Sequence, residues 1–578
     1  MTKTEIRLDL TDVTAKGDSE LNINQNNQVS NIEDIRQGIA QDYATLEKNT
    51  FLLDGNEKIL VQDNYSNTGY CSSIMSGLDN KFEKPIELVI DFDSYHTSAG
   101  ITIHFGDDAY CNDLLITYLS DGEIVFSNRY TPNTSNAYLE KNVIENYNKI
   151  IIEFYSMNLP NRYLKILDIE YGFEKVFSEM DIEAADCDNS INILSSELPV
   201  NTLGFSVVDK ESVFNVVNPN GYYKDMQENQ KISVYEYLND KKLFIGNFYL
   251  TEWSNPSVAK ADFQAHDLIG VLDNYTFKGG IYNDIAASEL IIQIFEQANI
   301  IDYEFEEYLQ EVYVSGYIPM CSCRQALQQA LFVSGAVCTT SGVDGIKIFK
   351  PQKTQVKSFI EDNRKEVDTT EVELNQTITG IDFALSNYVL KEELKEVAKG
   401  NELGIITVKF SNPIDPITLV ATNCTIIESG NNFATILCEN EDGYSLKAYE
   451  YQEEQTTILI QRLSKGNIKE SVLSVKDIKL INKKNITQIA DRIFNHYNST
   501  YKTTLDIGGD EEIVGDFVSV NTFNNFKLLG NITEMSIDLK GGFRKSITID
   551  NAILKQGTVE FPYTGLAYAG LVGIREGV

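Results

Sequence analysis

Apolar side chains recur with period two along most of this chain and at helical spacing in three places. Ile86, Leu88, Ile90 and Phe92 alternate with more polar positions, broken only by Val89, and Ile101, Ile103 and Phe105 alternate cleanly. Residues 150–155 are apolar except at Glu153, while Leu167, Ile169 and Tyr171 alternate with Asp168 and Glu170. Such runs between polar turns predict a β-sandwich over residues 50–173.

On either side the pattern changes. Residues 1–49 open with a strand at 6–10 and an Asn/Gln-rich stretch at 22–31, which reads as an arm whose partner strands lie elsewhere. Within 174–275, residues 203–208, 231–237, 243–252 and 261–267 read as a second antiparallel set. An α+β connecting domain follows at 276–364. There Asp284 is expected to cap a helix that puts Leu290, Ile291, Ile294 and Phe295 on one face. Ser322 and Gln325 fit a capping box ahead of Leu327, Ala330 and Leu331, with Gly335 as the stop. A strand at 346–350 and a charged connector at 362–368 close this domain. Residues 365–555 are again β, interrupted near 486–498 by a helix with Ile489, Ala490, Ile493, Phe494 and Tyr497 on its apolar side. Strands at 517–520, 535–539 and 546–549 follow, the last after a Gly541-Gly542 turn. Residues 556–578 are small and apolar from Gly565 on and read as a docking tail. The fold class is therefore mainly β with α+β segments, in several domains. The strand order of 50–173 resembles the galactose-binding-like jelly roll of many carbohydrate-binding modules.

Composition narrows the function. At 578 residues the chain exceeds a single core, and 42% hydrophobic residues suffice for roughly three to five. Its 85 acidic and 48 basic residues leave a formal net charge of −37. Phosphate backbones are held through Lys and Arg, so tight nucleic-acid binding is not expected, whereas a surface that repels DNA is. The N-terminus has no basic region with an apolar run, and no stretch is long and apolar enough to span a membrane, so neither a signal peptide nor a membrane span is read. Eight cysteines without framework spacing read as reduced thiols in a chain folded in a cytoplasm.

Catalytic chemistry is sparse. None of the four histidines, His96, His104, His266 and His496, sits at metal-ligand spacing; His96 and His104 share the sandwich region and could approach each other, though satisfied structural histidines are expected. Cys321 and Cys323 lack both the spacing and the second pair of a zinc site. A helix N-terminus beside Cys323 would favour its thiolate, but no base accompanies it, so burial is the expectation. Asp181, Asp186 and Asp188 lack calcium-loop spacing and read as a solvated acidic loop. Trp253 reads as a packing anchor. Neither phosphate-loop nor nucleophile-elbow spacing occurs. No catalytic, cofactor, metal or glycan-binding residue is assigned, and the chain is read as a non-enzyme without cofactor.

The C-terminal third carries a further likeness. Its helix with Ala490-Asp-Arg-Ile-Phe-Asn-His-Tyr497, the run Ile513-Val-Gly-Asp-Phe-Val-Ser-Val520, Gly530-Asn-Ile-Thr-Glu534 and the final Gly-Gly hairpin resemble the baseplate hub and tail-tip proteins of tailed bacteriophages and of contractile injection particles. The phrases at 9–16 and 44–55 resemble the openings of tail proteins from phages of Gram-positive hosts. The resemblance implies two tube-type β-barrel domains per chain, at 174–275 and 365–555, with the jelly roll inserted. Three chains would then form a ring joining the tail tube or distal tail proteins to a spike and framing the DNA conduit, among other baseplate proteins. It implies a virion structural protein assembled in the cytoplasm of a bacterial host. Two alternatives stay open: an adsorption protein whose jelly roll binds host surface glycans, and a cell-wall hydrolase.

Overall fold

In a computed structural model the described residues are 2–25, 32, 35, 69–106, 110–134, 137–140, 144–215, 217, 218, 221, 222, 226–239, 241–257, 259–351, 356–366, 370–439, 443–462, 471–497, 501–522 and 526–556. The Asn/Gln-rich stretch beyond residue 25, the phrase at 44–55 and the docking tail from residue 557 lie outside them. The chain divides into two units, Met1–Asp186 with Thr202–Val271, and Cys187–Asn201 with Leu272–Val578.

In the first unit the period-two pattern makes a sandwich of two antiparallel sheets. One has the order Ser19–Ile23, Lys81–Ser98, Ile144–Met157, Cys111–Ser120, Glu123–Tyr130; the other runs Tyr70–Met75, Tyr163–Glu170, Ile101–Phe105, Ala137–Glu140. Ile86, Leu88 and Ile90 are fully buried between them, while Val89 faces outward opposite Ile151 and is half-buried. The polar half of the 167–171 alternation behaves differently from a solvent face, because Asp168 is also buried and pairs with Lys16 at 2.7 Å.

Outside the sandwich the strands of the first unit have the order Gly172–Ser178, Thr2–Thr11, Lys231–Leu238, Lys241–Ser257, Lys260–His266, Thr202–Val208, then Ile182–Ser190, which belongs to this unit only as far as Asp186. The N-terminal strand runs between two antiparallel neighbours, with Ile6 opposite both Phe177 and Val234. Gly172, at φ 141°, permits that closeness, since a Cβ there would run into the Leu10 carbonyl. Phe263 anchors the core, stacked on Phe205 at 4.7 Å and edge-on to Phe214 at 5.2 Å. The acidic stretch at 181–188 is a strand, not a loop: Ala185 and Cys187 point inward while Glu183, Asp186 and Asp188 stay exposed.

The second unit holds the three long helices. Ala287–Gln297 buries Leu290, Ile291, Ile294 and Phe295 as expected, but its N-cap is Ala286 without a side-chain bond. Asp284 instead lies within strand Gly280–Ala286, where the pairing register shifts, at φ 51°, its carboxylate taking hydrogen bonds from Ser315 and Lys484. Cys323–Ser334 starts at Ser322, whose hydroxyl accepts the Gln325 N–H, and stops at left-handed Gly335. Arg492, from helix Ile486–Tyr497, donates to the Phe332 carbonyl, placing a cation on the last turn of that helix. A Cβ at Gly335 would sit 2.6 Å from the Arg492 guanidinium, a second reason for glycine there.

The unit's main sheet runs Ser358–Ile360, Phe517–Asn521, Phe526–Asp538, Arg544–Gln556, Tyr501–Gly508, Glu373–Leu374. Among the described residues the sheets stay open, which corrects the expectation of closed tube-type barrels. The charged connector is a strap of this sheet: residues 358–360 pair with 518–520, and Lys365 bridges to Ile507. Between the strap and the helix rises an element of which the apolar pattern marks only parts, the β runs at 403–410 and 456–460. Gly380–Gly400 and Tyr444–Gln461 form a long antiparallel ribbon, flanked by Val420–Thr422 and Val472–Val475. At its far end Gly404–Lys409, Phe433–Cys438 and Thr425–Ser429 make a three-stranded tip.

Candidate functional site

Three places gather groups capable of chemistry, and each is built by a distinct device. The first lies in the sandwich. Asp12 caps the short helix Val13–Asp18, which lays Asp12 and Asp18 on either side of His96. His96 is buried; its Nδ1 is 2.8 Å from Asp12 Oδ2 and its Nε2 is 2.8 Å from Asp18 Oδ1. Ser94 Oγ stands 3.2 Å from the same Nε2, so Ser94, His96 and Asp12 have the order of a nucleophile, base and orienting acid. Asp18 disarms that order. Its second oxygen takes the Ser94 hydroxyl and backbone N–H, and its first occupies the nitrogen that a base would use. Carboxylates occupy both ring nitrogens, so the ring is an anchor with no nitrogen open to a substrate. With Lys16 on Asp168, the set fastens the helix to the sandwich.

The second place is beneath the strap of the second unit. Lys545 is almost wholly buried and donates to the Asp510 and Glu512 carbonyls, the latter at 2.7 Å. Glu512, also buried, takes a two-pronged bond from Arg364 at 2.5 and 2.9 Å. Burial pushes Lys545 down to about 8, against the attraction of Glu512; burial raises Glu512, but Arg364 and Lys545 hold it below the ordinary carboxylate range. Every charge has a partner that locks strap to sheet, a structural use of buried ions.

The third is a cleft of about 770 Å³ at the ribbon tip, with Glu396, Lys399, Glu402, Asn423, Tyr444 and Ser445 among its walls. Lys399 binds Glu396 at 3.1 Å and, with the Ser445 hydroxyl, lowers its pKa. The cleft offers donors and acceptors; the Ser445 hydroxyl donates to Glu396, with no histidine among the described walls.

The remaining candidates are dispersed. His104 pairs with Glu170 at 3.3 Å in the opposite sheet from His96, so the two histidines serve separate partners. Burial lowers the pKa of His104, but the Glu170 bond outweighs it and the net shift is upward. His266 lies half-buried in strand Lys260–His266, and His496 Nε2 is 4.0 Å from Asp550. Trp253 is half-buried in a strand opposite Phe263. Cys323 is buried, and burial raises its thiol to about 11; the helix N-terminus does not make it a thiolate. Among the described residues no group of three metal-ligating side chains forms. Asp12, Asp18 and Ser94 escaped the sequence reading because about eighty positions separate the aspartates from the histidine. The signal that existed was an Asp cap facing a strand with Ser-x-His.

The chain is similar to phage tail proteins. A tail protein from Neisseria meningitidis MC58 matches at 10% identity and a TM-score of 0.40, over 65% of this chain and 93% of that one. The 43 kDa tail protein of prophage MuSo2 from Shewanella oneidensis matches at 8% identity and a TM-score of 0.37, over 66% and 97%. A component of the type VI secretion system of E. coli matches at 9% and 0.31, over 65% and 75%. No family model and no curated protein matches the chain. Likeness of this degree assigns neither family nor activity.

Proposed function

We propose that the chain is a structural component of a phage-type tail tip or baseplate, a hub that three copies build into a ring. In this reading the ring joins a tail tube or distal tail protein to a spike, frames the DNA conduit and performs no catalysis. The observation that supports it is that extended β-structure dominates each of the two units. The net charge of −37 fits a lumen that DNA must slide through without sticking. The three sites above, where the titratable groups are committed to anchoring or, at the cleft, have no histidine among the described walls, suit a scaffold. Light scattering of the purified chain tests this. A mass near three times 65.1 kDa is expected, and a monomer at the highest soluble concentration overturns the ring.

A second reading rests on the sandwich, taken as a jelly roll that binds host glycans. Tyr95 is 52% exposed and its hydroxyl is fixed on both oxygens of Asp121 at 2.8 Å, which presents a rigid aromatic face to a sugar ring. Glycan affinity lost in Tyr95→Ala supports this reading, and no affinity in the full chain ends it.

A further inference from the structure

The tip of the ribbon holds a reactive pair that the anchoring chemistry above does not use. Strands Thr425–Ser429 and Phe433–Cys438 are antiparallel, with Thr425 opposite Leu437. One further step along that register sets Cys424 opposite Cys438, close enough for Cys438 to raise the Cys424 thiol. Directly opposed residues of antiparallel strands hold their Cα atoms roughly 4.5–5.5 Å apart, inside the roughly 4.4–6.8 Å that a disulfide spans. Cys438 is buried and Cys424 half-buried, so one thiol of the pair is open to a reagent. Both are free.

The surroundings give such a bond a purpose. Among the described residues the core cluster at the tip is Ala434, Ile436, Cys438, Tyr444 and Leu446. Modules with cores this small are the ones that gain most from a covalent staple. Tyr444 feels both thiols and also forms a wall of the cleft. A bond here would close residues 425–437 into a ring and fix that wall.

We propose that Cys424 and Cys438 are a latent disulfide, reduced where the chain is made and joined by exchange with a low-molecular-weight disulfide such as oxidised glutathione. Cys424 loses its proton to solvent and its thiolate attacks one sulfur of the reagent, expelling a thiolate and leaving a mixed disulfide. Cys438 then gives up its proton and displaces the second reagent thiolate, forming the protein S–S bond. The protein loses two electrons and two protons, and the reagent becomes two thiols. Burial raises the Cys424 thiol, as does Cys438 beside it, so the first step quickens as pH rises.

The test uses the whole chain in glutathione buffers of rising oxidised fraction, followed by alkylation, digestion and mass spectrometry without reduction. A linked peptide containing Cys424 and Cys438, lighter by two hydrogens, is expected, with the other six cysteines (eight less two) alkylated after unfolding. Proteolysis within residues 404–438 should slow in the oxidised protein. Recovery of both cysteines alkylated, or of Cys424 as a glutathione adduct in every buffer, overturns the proposal. In Cys438→Ala, Cys424 should stop at the adduct; a bridge from Cys424 to any other cysteine would also overturn the pairing. The outcome is independent of whether three chains form a ring.

Discussion

The sandwich and the ribbon tip are both made of antiparallel strands with alternating side chains, yet they stand on different foundations. In the sandwich two sheets close over Phe105, Tyr118, Tyr147 and Phe154, all fully buried, with rings in edge contact. At the tip the described core cluster holds five buried residues, and Ile405 is 72% and Ile417 93% exposed. Apolar burial stabilises at about 25 cal/mol per Å², and a second sheet is what supplies the area. Alternation therefore makes a strand, but a facing layer makes a domain. The sandwich has the core to hold itself, and the tip is held largely through the ribbon.

The largest effect should come from opening the sandwich core. Phe154→Ala removes a ring that packs edge-on against Phe105 at 6.2 Å and should cost about 3–5 kcal/mol. Denaturant unfolding with tyrosine fluorescence should record it as a cooperative shift across the sandwich; an unchanged midpoint would contradict the view of one shared core. The parallel change in the tip, Ile436→Ala, should cost about 2 kcal/mol, the low end of the range, because a thin module collapses onto the vacancy. Its signature is local. Amide exchange across residues 404–438 should speed up while the sandwich amides keep their rates.

Acid should act in opposite senses on the N-terminal strand beside the sandwich's helix and on the ribbon that carries the tip. Glu236 is fully buried beside the N-terminal strand, and burial, reinforced by Glu179, lifts it to about 7 against the Thr4 hydroxyl. Burial likewise lifts Asp9 of that strand to about 6. Between the ordinary carboxylate values and these, the folded strand binds protons that the released strand does not, so its stability is fully present below pH 4 and falls as pH rises through 6 and 7. In the ribbon, burial raises Glu453, but the Ser386 hydroxyl and Lys479 hold it below its ordinary 4.5, so that contribution is present above pH 4.5 and lost below. Amide exchange corrected for intrinsic rates should find residues 2–11 better protected at pH 5.5 than at pH 8, by on the order of 1 kcal/mol. Glu236→Gln should remove most of that slope, and a slope of the opposite sign would refute the assignment.

The same contrast explains what could be read in advance. Runs such as Ile86 to Phe92 betray a sandwich because alternation against a filled layer leaves a period-two record, and helices Ala287–Gln297, Cys323–Ser334 and Ile486–Tyr497 leave a record at their own spacing. Asp284 misled because an acidic residue before an apolar helix has the composition of a cap, whereas its left-handed backbone serves a register shift inside a strand. The ribbon left little trace: residues 391–396 are charged apart from Leu394 and are solvated on both sides, so no face had to be apolar. The His96 anchor and the Cys424–Cys438 contact were invisible because both are made by pairing, which brings together residues that no local spacing relates.

The smallest expected effect asks how the ribbon is held at its base. Tyr388 lies opposite Glu453 and packs on Tyr317 at 4.6 Å; Lys479 reaches the Tyr388 hydroxyl at 3.0 Å and Glu453 at 3.3 Å. The charged groups are about a third exposed, so solvent screens them and Glu453→Gln should cost about 0.5 kcal/mol or less, shrinking further in salt. The tilted pair of tyrosines buries apolar area that salt does not touch, so the ribbon should keep its exchange protection in this variant. If protection in the ribbon and tip instead falls more than tenfold, a single carboxylate holds the ribbon upright, and the tip depends on charge at its base more than on the five residues of its core.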